Sequence, residues 1–210
     1  MNEQEIIDLL KKMGAIITDS HVVYTSGQHG ETYVNKYAIY PHVREMLEVC
    51  EGIAVQFANN GIEVVIAPAL GGIILSQWVA YHLIDIMGSK VLSIYAEKAD
   101  DGESFIIKPC HAKLLAGKKT LVVDDVLTPG DTAKKVVEAA RAAGGNVIGL
   151  GVLWNLCDVT PQDVADVPEL FALVNTTLAA WDAEKCPLCR QGVPVNTDVG
   201  RGKEYLARGL

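Results

Sequence analysis

The sequence predicts an α/β protein: a parallel twisted sheet flanked by helices on both faces, with a small hood or cap made by the N-terminal and C-terminal segments. Three observations carry this. Short continuous apolar runs at residues 64–67, 91–97, 120–123 and 147–153 read as strands covered on both sides. Stretches with apolar residues at helical spacing alternate with those runs. The chain has 210 residues, 50% of them hydrophobic, enough for one domain with a substantial core.

Each element follows in order. Residues 3–13 place Ile6, Ile7, Leu9, Leu10 and Met13 at helical spacing, and Gly14 is a stop. Residues 43–59 repeat the pattern with Val43, Met46, Leu47, Cys50, Ile53, Ala54 and Phe57, and Asn60-Gly61 ends it. The strand at 64–67 leads through a turn at 68–72 to a helix at 73–86, then to the strand at 91–97. Residues 99–117 are polar, irregular and too long for an ordinary connection, which predicts a functional loop or a hairpin. After the strand at 120–123, a helix at 132–143 shows Ala133, Val136, Val137 and Ala140 on one face. Gly144-Gly145 stops it before the strand at 147–153. The remainder has Pro161, Pro168, Pro187 and Pro194 and weak periodicity, so it reads as a cap or edge addition. The expectation is a single domain over 1–210, with a core at about 43–155, an arm at 1–42 and a tail at 156–210.

Lys+Arg 18 against Asp+Glu 26 gives a net charge of −8. That argues against non-specific binding to nucleic acid or anionic membranes, which needs clustered cations. A local cationic pocket for an anionic small molecule remains compatible with it. The most apolar stretch, 73–87, is broken by Ser76, Gln77, His82 and Asp85 and does not read as a membrane span. The first residues lack the basic-then-apolar pattern of a secretion signal, and five cysteines is an odd number. Both point to a reducing, cytoplasmic setting.

The chemistry concentrates in the string from Leu121 to Ala133, which contains Asp124-Asp125 and Thr128-Pro129-Gly130-Asp131-Thr132. A hydrophobic strand ends in two carboxylates, a short Thr/Gly loop follows, and a helix begins. A helix N-terminus offers unpaired N–H groups and partial positive charge to a phosphate. Gly130 allows close backbone approach, and Thr128 and Thr132 add hydroxyls. Paired carboxylates are good acceptors for vicinal hydroxyls. Together these describe a ribose 5-phosphate group; the bland alternative is a solvated Asp pair and an ordinary helix cap.

Three other segments support it. Ala69-Leu70-Gly71-Gly72 follows the first strand, where glycines either turn backbone toward an anionic group or simply make a strand-to-helix turn. Lys98 ends the second strand, with Lys108, His111 and Lys113 further along. Cations there would offset negative charge on a bound anion, although most lysines are solvated surface charges. Residues 24–36, with Ser26-Gly27 and then Tyr33, Asn35 and Lys36, read as a hairpin or β-arm. Trp154 and Asn155, just past the fourth strand, are placed to stack on or hydrogen-bond to a base, or to sit at a half-buried edge.

The Leu121 to Ala133 string resembles the 5-phosphoribosyl 1-diphosphate (PRPP) motif of type I phosphoribosyltransferases. The 24–36 segment resembles the N-terminal signature of the orotate phosphoribosyltransferases. The resemblance runs over about residues 5–155. It implies a type I phosphoribosyltransferase-like fold and transfer of a 5-phosphoribosyl group from PRPP to a base, orotate first. A purine acceptor and a PRPP- or nucleotide-binding regulator without turnover stand as alternatives. It implies catalytic roles for Asp124, Asp125 and Lys98, with a 5′-phosphate loop at Thr128, Pro129, Gly130, Asp131 and Thr132. The pyrophosphate loop would be Ala69, Leu70, Gly71 and Gly72, and the base pocket would include Ser26, Gly27, Tyr33, Asn35, Lys36 and Asn155. Mg²⁺ held with PRPP, small-molecule partners and a homodimer follow from the same likeness. Pro129 and Asp131 depart from the usual pattern. So does the acidic, lysine-poor stretch from Ala96 to Gly102, which leaves open a reorganised loop using Lys108 and His111, or a different substrate.

Cys186-Pro187-Leu188-Cys189 has the spacing of half a zinc site. Cys157, Cys110, a histidine or a second subunit would have to complete it; a redox pair or plain thiols are the other readings.

Overall fold

Four apolar runs too short for helices need partners on both edges, and they find one another. The structure, a computed structural model, describes residues 1–207. Its elements are α1 (Glu3–Lys12), β1 (Ile16–Ile17), β2 (Val22–Val23), β3 (His29–Gly30), β4 (Tyr33–Val34), α2 (Val43–Phe57), β5 (Val64–Pro68), α3 (Gly71–Met87), β6 (Leu92–Lys98), β7 (Phe105–Ile106), α4 (Pro109–Leu115), β8 (Lys119–Leu127), α5 (Asp131–Ala142), β9 (Asn146–Asn155), β10 (Leu170–Asn175), α6 (Pro187–Arg190) and α7 (Gly202–Ala207). The described residues divide into two compact units: Met1–Ile6 with His42–Thr176, and Ile7–Pro41 with residues 177–207.

The first unit holds a six-stranded sheet in the order β10-β9-β8-β5-β6-β7. All neighbours are parallel except β7, which runs antiparallel to β6. The sheet is therefore mostly parallel, as expected, with one antiparallel edge. Alternation along each strand sorts the core onto two faces. Val64, Ile66, Val122, Leu150 and Val152 cluster with Ala133, Val136, Val137 and Ala140 of α5. On the other face α2 packs directly on β9 backbone. A Cβ at Gly151 would lie 2.5 Å from Ile53 Cγ2, and one at Gly149 would lie 2.5 Å from Phe57 Cε1. Those glycines set the approach of the helix.

Two sequence expectations are met and two change. Of the two readings of residues 99–117, a functional loop or a hairpin, the structure holds the hairpin, with β7 antiparallel to β6, and adds α4 after it with Pro109 at its first position. The third strand does not stop at Val123. Its pairing with β9 continues to Leu127↔Asn155, so Asp124 and Asp125 lie inside β8. The helix after the 68–72 turn starts at Gly71 rather than Ile73. The tail begins as the edge addition expected of it: β10 pairs parallel with β9 at the sheet edge.

The second unit has two short antiparallel ladders, β1 with β4 and β2 with β3. Residues 24–36 thus supply one hairpin strand and one strand of the other ladder. Among the described residues no helix is long and apolar enough to cross a membrane.

Candidate functional site

Ligands of parallel α/β sheets bind outside the carboxyl ends of the strands, where loops lead into helix N-termini. In the first unit that edge gathers the ends of the neighbouring strands β6, β5 and β8. It holds Lys98, the Ala69–Gly72 turn, Asp124-Asp125 and the 128–132 loop.

Asp124 and Asp125 are 5% and 1% exposed. Asp124 Oδ1 accepts the Asp125 N–H at 2.8 Å, and Asp125 Oδ1 accepts the Val126 N–H at 2.8 Å. Consecutive strand residues alternate faces, so the two carboxylates leave β8 on opposite sides. The solvated-pair alternative fails, because neither side chain faces open water.

The loop from Thr128 to Thr132 joins β8 to α5. Thr128, Pro129, Asp131 and Thr132 are exposed, whereas Gly130 is buried. Gly130 is the cap residue of α5, with φ +105° and no side-chain cap for the helix. The first-turn N–H groups therefore have no capping side chain and open onto the strand edge. The Thr128–Pro129 peptide is cis. Val164 and Val159 lie 3.2 and 3.3 Å from where a Gly130 Cβ would stand, so packing fixes the loop from below.

The Ala69–Leu70 peptide is also cis, and Leu70 is 83% exposed at the tip of the turn. The Ala69 N–H donates to the Ala96 carbonyl at 2.8 Å, tying the turn to β6. Gly71 opens α3, again without a side-chain cap. A Cβ on Gly72 would meet Ala67 Cβ at 2.8 Å and Pro68 Cδ at 3.0 Å, so the glycine lets α3 start hard against the end of β5.

Lys98 is exposed at the last position of β6. Lys108 does not stand free beside it: its Nζ pairs with Glu97 Oε1 at 2.7 Å, and that hydrogen bond pushes its pKa up. The His111 ring packs edge-on to Tyr95 with centroids 5.1 Å apart. Lys113 is exposed on α4. Asn155 is buried and spent internally. Its amide nitrogen donates to the Val159 carbonyl at 2.9 Å, and its oxygen accepts the Val159 N–H at 3.0 Å. Trp154 is 4% exposed, so both are framework residues rather than an open base platform.

The other base-pocket candidates belong to the second unit. Ser26 and Gly27 form the β2–β3 turn, and with Tyr24, Thr25, Arg201 and Tyr205 they line a cavity of about 620 Å³. Tyr33 pairs with Ile17, the Asn35 N–H donates to the Ala15 carbonyl at 2.7 Å, and Lys36 lies over the Tyr37 ring. The same unit collects His21, His29, Cys186 and Cys189 into one cluster. Burial, then the neighbouring His21, holds the His29 pKa down; burial, then Cys186, pushes the Cys189 thiol up. Of the completions open to the Cys-x-x-Cys pair, the structure brings up histidines; which ones is not legible in the sequence, since 165 residues separate His21 from Cys186. Cys110 and Cys157, the cysteines suggested by sequence, lie in the first unit instead.

Comparison with known proteins places the family and the fold. Residues 36–182 match the phosphoribosyl transferase domain model. The orotate phosphoribosyltransferase of Desulforamulus reducens is 34% identical over 199 residues, 92% of this chain and 95% of the relative. Among solved structures, orotate phosphoribosyltransferase from Aeropyrum pernix superposes with TM-score 0.63 at 22% identity, over 81% of this chain and 93% of that one. Adenine phosphoribosyltransferase from Thermoanaerobacter pseudethanolicus gives 0.60 at 18%, over 83% and 99%. The chain belongs to the phosphoribosyl transferase family. Within that family, the type I enzymes it is most like are the orotate phosphoribosyltransferases.

Proposed function

We propose that this chain transfers the 5-phosphoribosyl group of PRPP to orotate, yielding orotidine 5′-phosphate and pyrophosphate. The observation that supports it is one strand edge carrying a buried acid pair flanked by two uncapped helix N-termini, those of α5 and α3. In this reading the 128–132 loop and the first turn of α5 hold the 5′-phosphate through backbone N–H groups. Pro129 withholds one N–H, but those after Gly130 remain. Asp124 and Asp125 supply the carboxylate acceptors for the ribose hydroxyls. The 69–72 turn receives the pyrophosphate, and Lys98 faces the charge that grows on it. The bond from ribose C1 to the pyrophosphate oxygen breaks, the C1–N bond to the base forms, and the proton of the base nitrogen is taken up by the departing pyrophosphate. Positioning and fixed dipoles supply most of the rate.

Mg²⁺ takes carboxylate and substrate-phosphate oxygens, and the acid pair beside the phosphate loop suits it as a donor set. Bound with PRPP, the ion would neutralise the leaving pyrophosphate. A homodimer and a cytoplasmic setting belong to the same proposal.

The Glu97–Lys108 pair favours one rival, PRPP binding without turnover, because it takes a cation out of service beside Lys98. The test is pyrophosphate release from PRPP and Mg²⁺ with orotate, adenine or hypoxanthine, using Asp124→Asn/Asp125→Asn as the matched control. Release that needs orotate and disappears in the control supports the proposal. Release only with a purine, or PRPP binding without release, overturns it.

A further inference from the structure

We infer that the second unit carries a structural zinc site, with His21 Nε2, His29 Nδ1, Cys186 Sγ and Cys189 Sγ as its four ligands. The inference is independent of the transfer reaction.

Geometry is the first argument. The four ligand atoms all lie within 4.8 Å of one another. Tetrahedral zinc with bonds of ~2.3 Å to sulfur and ~2.0–2.1 Å to nitrogen sets its ligand atoms ~3.3–3.8 Å apart. Cys186 Sγ is 3.7 Å from His21 Nε2, Cys189 Sγ is 3.6 Å from the same nitrogen, and Cys189 Sγ is 3.3 Å from His29 Nδ1. The His21 Nε2 to His29 Nδ1 edge, at 2.8 Å, has to open by roughly 0.5 Å to match.

Orientation is the second. His21 Nδ1 lies 2.7 Å from the Val193 carbonyl, which accepts its N–H. That fixes the tautomer whose bare Nε2 lone pair faces the cluster, the outer-shell arrangement expected of a metal-bound histidine. The backbones are pinned as well. His29 and Trp181 exchange N–H to carbonyl bonds of 2.7 and 2.8 Å, and the Asn196 N–H donates to the His21 carbonyl at 2.7 Å. Both cysteines come from one tight turn, in which the Arg190 N–H donates to the Cys186 carbonyl and Gly192, at φ +68°, ends α6.

Burial and charge are the third. His21, His29 and Cys186 are 2%, 0% and 0% exposed. Two thiolates neutralise the ion's two charges, which suits a site shut off from water. Two sulfurs with two imidazole nitrogens select zinc among common divalent ions. Four protein ligands leave no open position, so the metal is a clamp rather than a catalyst. It would tie the β2–β3 hairpin, whose Ser26-Gly27 turn lines the cavity, to the C-terminal Cys-x-x-Cys turn.

Elemental analysis and Co²⁺ replacement test this on the full chain. The purified protein should hold about one zinc per chain, falling below roughly a tenth in Cys186→Ser/Cys189→Ser. Chelation followed by Co²⁺ should give thiolate-to-cobalt charge-transfer bands and tetrahedral d–d absorption in the wild type. Should the double variant fail to fold, the wild-type cobalt spectrum decides alone. The inference is overturned by a wild type that holds no zinc and develops no thiolate–cobalt band, by zinc retained in full by a folded double variant, or by an intact-mass measurement showing Cys186 and Cys189 joined as a disulfide.

Discussion

Replacing Gly72 with alanine sets two effects of known size against each other at the start of α3. Alanine favours a helix over glycine by about 1 kcal/mol, so propensity alone predicts a stabilised protein. The added Cβ, however, would stand 2.8 Å from Ala67 Cβ and 3.0 Å from Pro68 Cδ. Carbon atoms rest at about 3.5–4.0 Å, so the helix start must retreat from β5 by ~0.7–1 Å. Both obstacles are short and rigid, a methyl group and a proline ring, so no side chain can swing away. Overpacking of this kind costs about 1–3 kcal/mol, which outweighs the propensity gain and leaves a net loss of up to about 2 kcal/mol. At ~2–4 °C per kcal/mol for a chain of this size, Tm falls by up to roughly 8 °C. The larger effect is on turnover. The same retreat displaces the Ala69–Gly72 turn by about 1 Å, and a misplacement of that size costs ~100-fold. Calorimetry and the pyrophosphate-release assay read the two effects separately, with the kinetic loss expected in kcat/KM for PRPP. A Gly72→Ala protein with a raised Tm and kcat/KM within twofold of wild type would refute the argument, because propensity would then have won and the close approach would be dispensable.

Asn155→Ala strips the partners from Val159 N–H and carbonyl. It should cost about 2–3 kcal/mol, or roughly 4–12 °C in Tm. Because Val159 packs beneath Gly130, KM should rise for PRPP and stay unchanged for orotate; a rise for orotate alone would restore Asn155 to the base pocket. Native alkylation followed by mass spectrometry should label Cys110 before Cys157 and spare Cys50. Burial and then Asp158 push the Cys157 thiol up, and burial pushes that of Cys50 much further; equal labelling of Cys50 and Cys110 would contradict this. The Asp101 carboxylate accepts the Glu103 and Ser104 N–H groups and the Ser104 hydroxyl, and these bonds, the hydroxyl's first, lower its pKa to about 2. A depressed folded value means that its contribution to the β6–β7 turn is full above the unfolded value of about 3.9 and is lost as pH falls through 2. An NMR titration of Asp101 with a midpoint near the unfolded value would show that these bonds do not form in solution.

By itself the sequence determined the α/β class, the order of the central strands and helices, and the acid-pair and phosphate-loop string. All of these are written in contiguous residues: apolar runs for strands, helical spacing for helices, and a strand-loop-helix motif whose parts act within a few residues of one another. Local polarity misled where tertiary pairing overrode it. Asp124 and Asp125 look like the end of a strand, yet β9 continues to pair alongside them and draws them into β8. The polar stretch after Lys98 allows a loop or a hairpin by sequence, and β6 decides for the hairpin by supplying the edge on which β7 forms. Asn155 looks available for a base until the fold turns Val159 back onto it. The His21, His29, Cys186 and Cys189 cluster was illegible for a different reason. Its halves come from opposite ends of the chain, with no period or spacing linking them, and tertiary bonds such as those of His29 to Trp181 and of Asn196 to His21 bring the two imidazoles to the two thiols.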